Sequence, residues 1–151
     1  MKSLFNPKDF EEIKRRISLV SEKSEPTWGK MNSAQMFRHC DKILQVGLGK
    51  IILPKRNFII KTIGTITKWE MKIFNNGIPH NMPTFKEVKV SENCNFEKSR
   101  ADLLTTLDEF LERSEKGNLL SHHELFGNMT KYDWGFLEHK HLNHHLKQFG
   151  V

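Results

Sequence analysis

The sequence predicts an all-α fold, a bundle of four or five amphipathic helices. Three observations point there. Apolar residues recur three and four apart over long stretches, helix-capping residues stand at the head of those stretches, and no segment reads firmly as a sheet. At 151 residues the chain is expected to form a single domain, 1–151, with length enough for one real core.

The first helix opens after Asn6, a good N-cap, with Pro7 suited to the first helical position and Asp9 to the first turn. Phe10, Ile13, Ile17 and Val20 make a core stripe, and Glu11, Glu12, Lys14 and Arg15 lie outside it. The helix frays at residues 21–24, and Pro26 blocks its continuation. After the connector Trp28-Gly29-Lys30-Met31, Asn32 and Gln35 make a capping box for a second helix over residues 33–46. Met36, His39, Ile43 and Val46 share its inner face, and Gly47 and Gly49 end it.

Pro54 starts a new segment. Ile59, Ile63, Ile66, Trp69 and Ile73 fit a helix, while residues 62–67 alternate and are β-branched, which also fits a strand; the sustained period favours the helix. Asn76-Gly77 terminates it. Residues 77–95, with Pro79 and Pro83, read as an extended loop holding an exposed, inert His80 and a short strand over 88–90. Asn95 caps the next helix, with Phe96, Leu103, Leu107, Phe110 and Leu111 inward, and Glu115-Lys116-Gly117-Asn118 stops it. The loop 119–129 carries His122-His123; loops carry function more often than helices do, but adjacent loop histidines are usually solvated. Thr130, with Asp133 at the third helical position, caps the last helix, residues 130–149, and Gly150 follows it.

Composition narrows the function. The formal charge is +6, but Lys14-Arg15-Arg16 and Lys55-Arg56 are the only tight basic clusters and have no interleaved aromatics. They read as solvated helix faces, so no nucleic-acid partner is expected. No apolar run approaches the roughly 20 residues that cross a bilayer, and the start of the chain turns polar at once, unlike a signal peptide. Cys40 and Cys94, far apart and without CxxC spacing, suit a reduced, cytoplasmic protein without a membrane partner.

The last helix carries the chemistry. His141 and His145 are four apart, on one face. Trp134, Leu137, His141, His145 and Gln148 fall on one stripe; His139 points nearly the opposite way and His144 sits at the edge. A stripe mixing apolar residues with imidazoles faces the interior, where a histidine is neutral and hydrogen-bonded or binds something. Satisfied core histidines are one reading. The other is a metal site, for which His39, amid apolar neighbours on the second helix, is the natural third ligand. Three imidazoles leave a coordination position open, the mark of a catalytic site. Gln148 then hydrogen-bonds a ligand histidine or bound water, and Gln35 is placed to do the same. His144 and His123 are the candidate general bases, with Glu138 a further one.

The chain resembles the DinB-like (DinB/YfiT) superfamily, and within it an uncharacterised subfamily, a domain of unknown function. The resemblance rests on two stretches. One runs from Trp28 through Gln35-Met36 to His39. The other runs from His123-Glu124-Leu125-Phe126-Gly127 through Trp134 to Lys140-His141-Leu142-Asn143-His144-His145 and Gln148-Phe149-Gly150. The superfamily's H-x3-H, with Gln three residues on, falls on His141, His145 and Gln148, and its further ligand on His39. Glu124 stands where the subfamily is expected to have proline. The resemblance implies a four-helix bundle with an additional short helix or irregular segment and long loops. It implies a divalent transition metal, nickel, zinc or iron, on the three histidines. It implies a small-molecule substrate, with some members transferring a low-molecular-weight thiol to an electrophile, and frequent homodimers. The reading is thus a metal-dependent enzyme, an S-transferase or hydrolase. The alternatives are a non-catalytic metal-binding or structural bundle and, behind it, a basic nucleic-acid binder.

Overall fold

The structure is a computed structural model that describes residues 1–80 and 83–151. Five α-helices follow one another: α1 (Pro7–Leu19), α2 (Ser33–Gly47), α3 (Phe58–Phe74), α4 (Phe96–Glu115) and α5 (Lys131–Gln148). The fold is all-α. Local chemistry sets the starts of its helices. The Asn6 side chain accepts from the N–H groups of Lys8 and Asp9, and Asn95 accepts from Lys98 N–H. Asn32 with Gln35, and Thr130 with Asp133, close full capping boxes. Each such cap stabilises its helix by about 1 kcal/mol.

Four helices make the bundle. α2 packs along α4, α1 along α5, and α2 also touches α5. Ile13 and Ile17 of α1, Phe37 and Leu44 of α2, Leu103 and Leu107 of α4, and Leu142 and Leu146 of α5 are fully buried in one continuous core. Each contributes on the order of 1.5–3 kcal/mol of transfer free energy. Ile43, expected inward, is only partly buried; Phe37 and Leu44 fill the α2–α4 seam instead. A buried carboxylate adds a polar lock. Asp41 of α2 accepts from Thr106 Oγ1 of α4 at 2.7 Å, from Gln45 Nε2 at 2.9 Å and from Arg38 Nη1 at 2.5 Å.

Several expectations are corrected. Gly47 does not end α2 by conformational freedom. A Cβ there would lie 2.6 Å from the Phe110 ring, so glycine lets α2 and α4 approach; Gly49, at φ +74°, is the left-handed residue beyond the helix. The basic run of α1 is not wholly solvated, because Arg16 is buried and donates to Asn143 Oδ1 (2.8 Å) and the Val151 carbonyl (2.7 Å). Residues 86–88 form a turn of 3-10 helix, Lys86–Val88, not a strand. Valines favour a strand by propensity, but no neighbouring strand pairs with this segment among the described residues. Residues 81 and 82 of the expected loop lie outside the described residues. The loop before α5 folds into a small antiparallel hairpin, β1 (His122–His123) and β2 (Gly127–Asn128).

The segment 58–74 is a full-length helix rather than a short one, and it lies outside the bundle. Its buried face is narrow: Gly64, Lys68 and Met71. A Cβ on Gly64 would lie 2.1 Å from the Leu125 carbonyl oxygen, so only glycine allows this approach to the hairpin. Three lysines fasten the helix. Lys61 pairs with Glu124 at 3.1 Å, Lys68 donates to the Asn128 carbonyl at 2.5 Å, and Lys72 pairs with Asp133 at 2.6 Å. The apolar stripe that announces α3 in the sequence faces away from the core. Among the described residues no helix is long and apolar enough to cross a membrane.

Candidate metal centre

α2 and α5 bring three histidines to one point. One ligand nitrogen from each of His39, His141 and His145 lies within 4.8 Å of the other two. The ring centroids form a near-equilateral triangle, 5.1, 4.9 and 4.6 Å on a side. His39 Nε2 and His141 Nε2 are 3.2 Å apart. Two imidazole nitrogens on a tetrahedral ion, each at about 2.0–2.1 Å from it, stand about 3.3 Å apart. That pair is therefore already at ligand spacing.

The hydrogen bonds decide which nitrogen faces the centre. A carbonyl only accepts, so His39 Nδ1–H donates to the Val88 carbonyl (2.8 Å) and leaves Nε2 bare. The same logic orients Gln148. Its Nε2 must donate to the Trp28 carbonyl (2.5 Å), so its Oε1 faces His145 and accepts from Nδ1–H at 2.8 Å. His145 Nε2 is thereby bare as well. Gly29 makes room for this relay: it sits at φ +82°, and a Cβ on it would lie 2.5 Å from Gln148 Nε2. His141 turns Nε2 toward His39, and its Nδ1 is buried without a partner among the described residues. An Nε2-metallated imidazole keeps its proton on Nδ1.

Electrostatics favour the neutral, ligating form. Burial holds the pKa of His39 below the ordinary histidine value. His141 is pushed well below it by burial and then by its histidine neighbours. His145 is lowered to about 3, by burial first and by His39 second. Three neutral imidazoles with lone pairs converging on one point fit a divalent transition metal. Cys40, next to His39 in sequence, is not part of the set; its thiol faces Met36 Sδ at 3.9 Å, and burial raises its pKa well above the usual value.

His144 stands beside this centre, its ring 5.1 Å from that of His145. It meets Trp28 edge-on at 5.7 Å and His80 at 5.9 Å, and His80 stacks flat on Trp28 at 3.9 Å. These rings, with Ile78, Lys140 and Lys147, line a cavity of about 190 Å³. His80 is exposed, as expected, but its place against Trp28 and His144 is not legible from the sequence. The Val88 carbonyl was equally invisible, since every residue carries one.

His123 lies elsewhere. Its Nδ1 accepts from the backbone N–H groups of Leu125 (3.0 Å) and Phe126 (3.3 Å), and its ring packs on Phe126 and Trp134. It pins the hairpin, and burial lowers its pKa to about 4. No hydrogen bond or ring contact joins it to the triad among the described residues. His139 points toward α1, away from the triad; its Nε2, like Oε2 of the buried Glu138, has no partner among the described residues. Gln35 caps α2 and donates to the Glu92 carbonyl.

Fold and site together define an all-α bundle with a three-histidine cluster in its core that can hold a metal ion. The chain belongs to the family described as "Protein of unknown function (DUF1569)", whose model matches residues 3–150. No curated protein and no solved structure matches it.

Proposed function

We propose that this protein is a metal-dependent enzyme of the DinB-like kind, with one divalent transition metal, nickel, zinc or iron, held by Nε2 of His39, His141 and His145. The observation that carries the reading is the convergence of three bare, neutral imidazole nitrogens from two helices. When bound, such an ion supplies Lewis acidity and holds a thiol or water in its deprotonated form near neutral pH. The chain's own residues do the rest. Val88 and Gln148 fix the ring orientations of His39 and His145. His144, next to the centre and kept neutral by burial, is placed to accept a proton from a nucleophile. The cavity that His144 helps to line, about 190 Å³, is the candidate seat of a small electrophile or a low-molecular-weight thiol fragment, which would be oriented there for transfer. His123, committed to backbone hydrogen bonds, is not assigned a catalytic role.

The test is elemental analysis of protein purified without a nickel column, beside the double variant His141→Ala, His145→Ala. About one transition metal per chain in the wild type and none in the variant supports the centre. A wild type that stays empty after incubation with zinc, nickel or iron(II) near neutral pH removes it. A loaded protein is then offered thiols and electrophiles; turnover lost in His144→Ala, with metal retained, supports the enzyme reading. The second reading, a non-catalytic metal-stapled bundle, draws on the burial of His39, His145 and Gln148, and expects metal-dependent stability without turnover.

A further inference from the structure

The outer face of α3 is a continuous stripe of exposed apolar side chains. Phe58, Ile59, Ile63 and Ile66 are 83, 68, 59 and 60% exposed, and Trp69, Ile73 and Phe74 continue the face at 56, 69 and 68%. With an aromatic side chain offering ~150–250 Å² and an isoleucine somewhat less, this face presents on the order of 1,000 Å² per chain. The largest apolar patch of an ordinary monomer is about 300–600 Å². A standard interface buries about 800 Å² per partner.

The face has a symmetry of its own. Ile59, Ile66 and Ile73 are seven apart and form its midline, the spacing of a helix–helix seam. About Ile66 the sequence is a palindrome of character. Phe58 and Phe74 lie eight residues to either side, Ile59 and Ile73 seven, and the bulky pair Ile63 and Trp69 three. On the outer face the polar pair Thr62 and Glu70 stands four to either side, while the lysines, turned toward the body, do not mirror one another. A two-fold interface requires such self-complementarity, because each residue meets its counterpart from the other copy. Placed antiparallel about Ile66, two copies of α3 set Phe58 level with Phe74, Ile59 with Ile73, and Thr62 with Glu70.

The charges argue against a lipid surface as the occupant. Interfacial helices carry their lysines free, to reach phosphate headgroups. Here Lys61, Lys68 and Lys72 are turned toward the body and engaged by Glu124, the Asn128 carbonyl and Asp133. The charge left on the outer face is the carboxylate of Glu70, which an anionic membrane repels.

We infer that α3 is a homodimerisation helix, which packs against α3 of a second copy, antiparallel about a two-fold axis at Ile66. The test is light scattering coupled to gel filtration on the full chain at micromolar concentration. The wild type is expected at twice 17.8 kDa and Ile66→Glu at 17.8 kDa, with an unchanged circular dichroism spectrum, since position 66 is exposed in the single chain. Orientation is read by oxidation in a Cys94→Ser background. Ile66→Cys is expected to form a disulfide-linked dimer. Ile59→Cys is not, because two such positions stand about 21 Å apart along antiparallel helices and a disulfide needs Cα atoms within about 7 Å. A monomeric wild type overturns the proposal, and its co-sedimentation with phosphatidylserine vesicles would assign the face to lipid instead. A dimer that survives Ile66→Glu, or that cross-links through Ile59→Cys, overturns it too.

Discussion

Replacing Gln148 with leucine isolates one hydrogen bond of the candidate centre. Gln148 Oε1 accepts from His145 Nδ1–H at 2.8 Å, while its amide nitrogen is fixed by the Trp28 carbonyl at 2.5 Å. Leucine keeps the bulk at a position only 3% exposed and removes both bonds. His145 remains able to ligate, but its ring is no longer held with Nε2 toward the centre, and its Nδ1–H loses its acceptor. Loss of such an outer partner weakens metal binding by about 10–100-fold, or about 1.4–2.7 kcal/mol. His145→Ala removes a ligand outright and is expected to cost more. The assay is competition for zinc against a chromophoric chelator at pH 7.5, with far-ultraviolet circular dichroism confirming the fold. A folded Gln148→Leu protein that binds zinc within twofold of wild type would refute the reasoning, because the Gln148 bond would then contribute nothing to ligand orientation.

Three further outcomes follow from the same structure. Glu138 is buried, with its pKa raised to about 8 by burial. Its folded state prefers the neutral acid, so between pH 4.5 and 8 the unfolded chain gains by ionising and stability falls as pH rises. Glu138→Gln is expected to be more stable than wild type by about 3 kcal/mol at pH 7, with the gap closing near pH 4.5, as read from urea unfolding at both pH values. His123 and His145, lowered to about 4 and about 3, act in the opposite sense. Both are neutral when folded and take up protons on unfolding below pH 6.5, so the metal-free protein is expected to lose about 3 kcal/mol between pH 6.5 and 5 from these two alone; because Glu138 acts oppositely over that range, the profile is read in the Glu138→Gln background, where a flat one contradicts it. Thr106→Val deletes the hydroxyl that donates to the buried Asp41 carboxylate and should cost about 1.5–3 kcal/mol, whereas the exposed neighbour Thr105→Val should be near neutral in the same thermal melts.

What could be read in advance was what short-range chemistry decides. Asn6, Asn32, Asn95 and Thr130 cap their helices as their positions suggest, because a cap involves only the next three residues. The three-histidine cluster was legible for a related reason. The four-residue spacing of His141 and His145 forces them onto one face, and the apolar neighbours of His39 force it inward. Gln148 fell on the same stripe, though only the Trp28 carbonyl reveals which end of its amide meets His145. What could not be read depends on partners distant in the chain. The period of α3 identifies a helix and an apolar face, but the same period serves a core face and an uncovered one. Arg16 looked like one more surface cation until Asn143 and Val151 closed over it. His123 looked free because its acceptor role involves the backbone of a hairpin too short to leave a sequence signature.

His39 and His141 are 102 residues apart in the chain. An ion held by all three histidines therefore ties a loop as long as two-thirds of the protein, and for a covalent tie of about 100 residues the lost chain entropy is worth up to about 4.7 kcal/mol. Before folding, the only ligands already close together are the two on α5, a weak pair four residues apart. The third arrives when α2 docks. Affinity for an ion would thus rise at the moment the bundle closes, and the ion would act as a clasp between the first half of the chain and the last helix. Without its ion, such a protein would open first where α2 meets α5, and proteolysis at that seam would then follow metal loading.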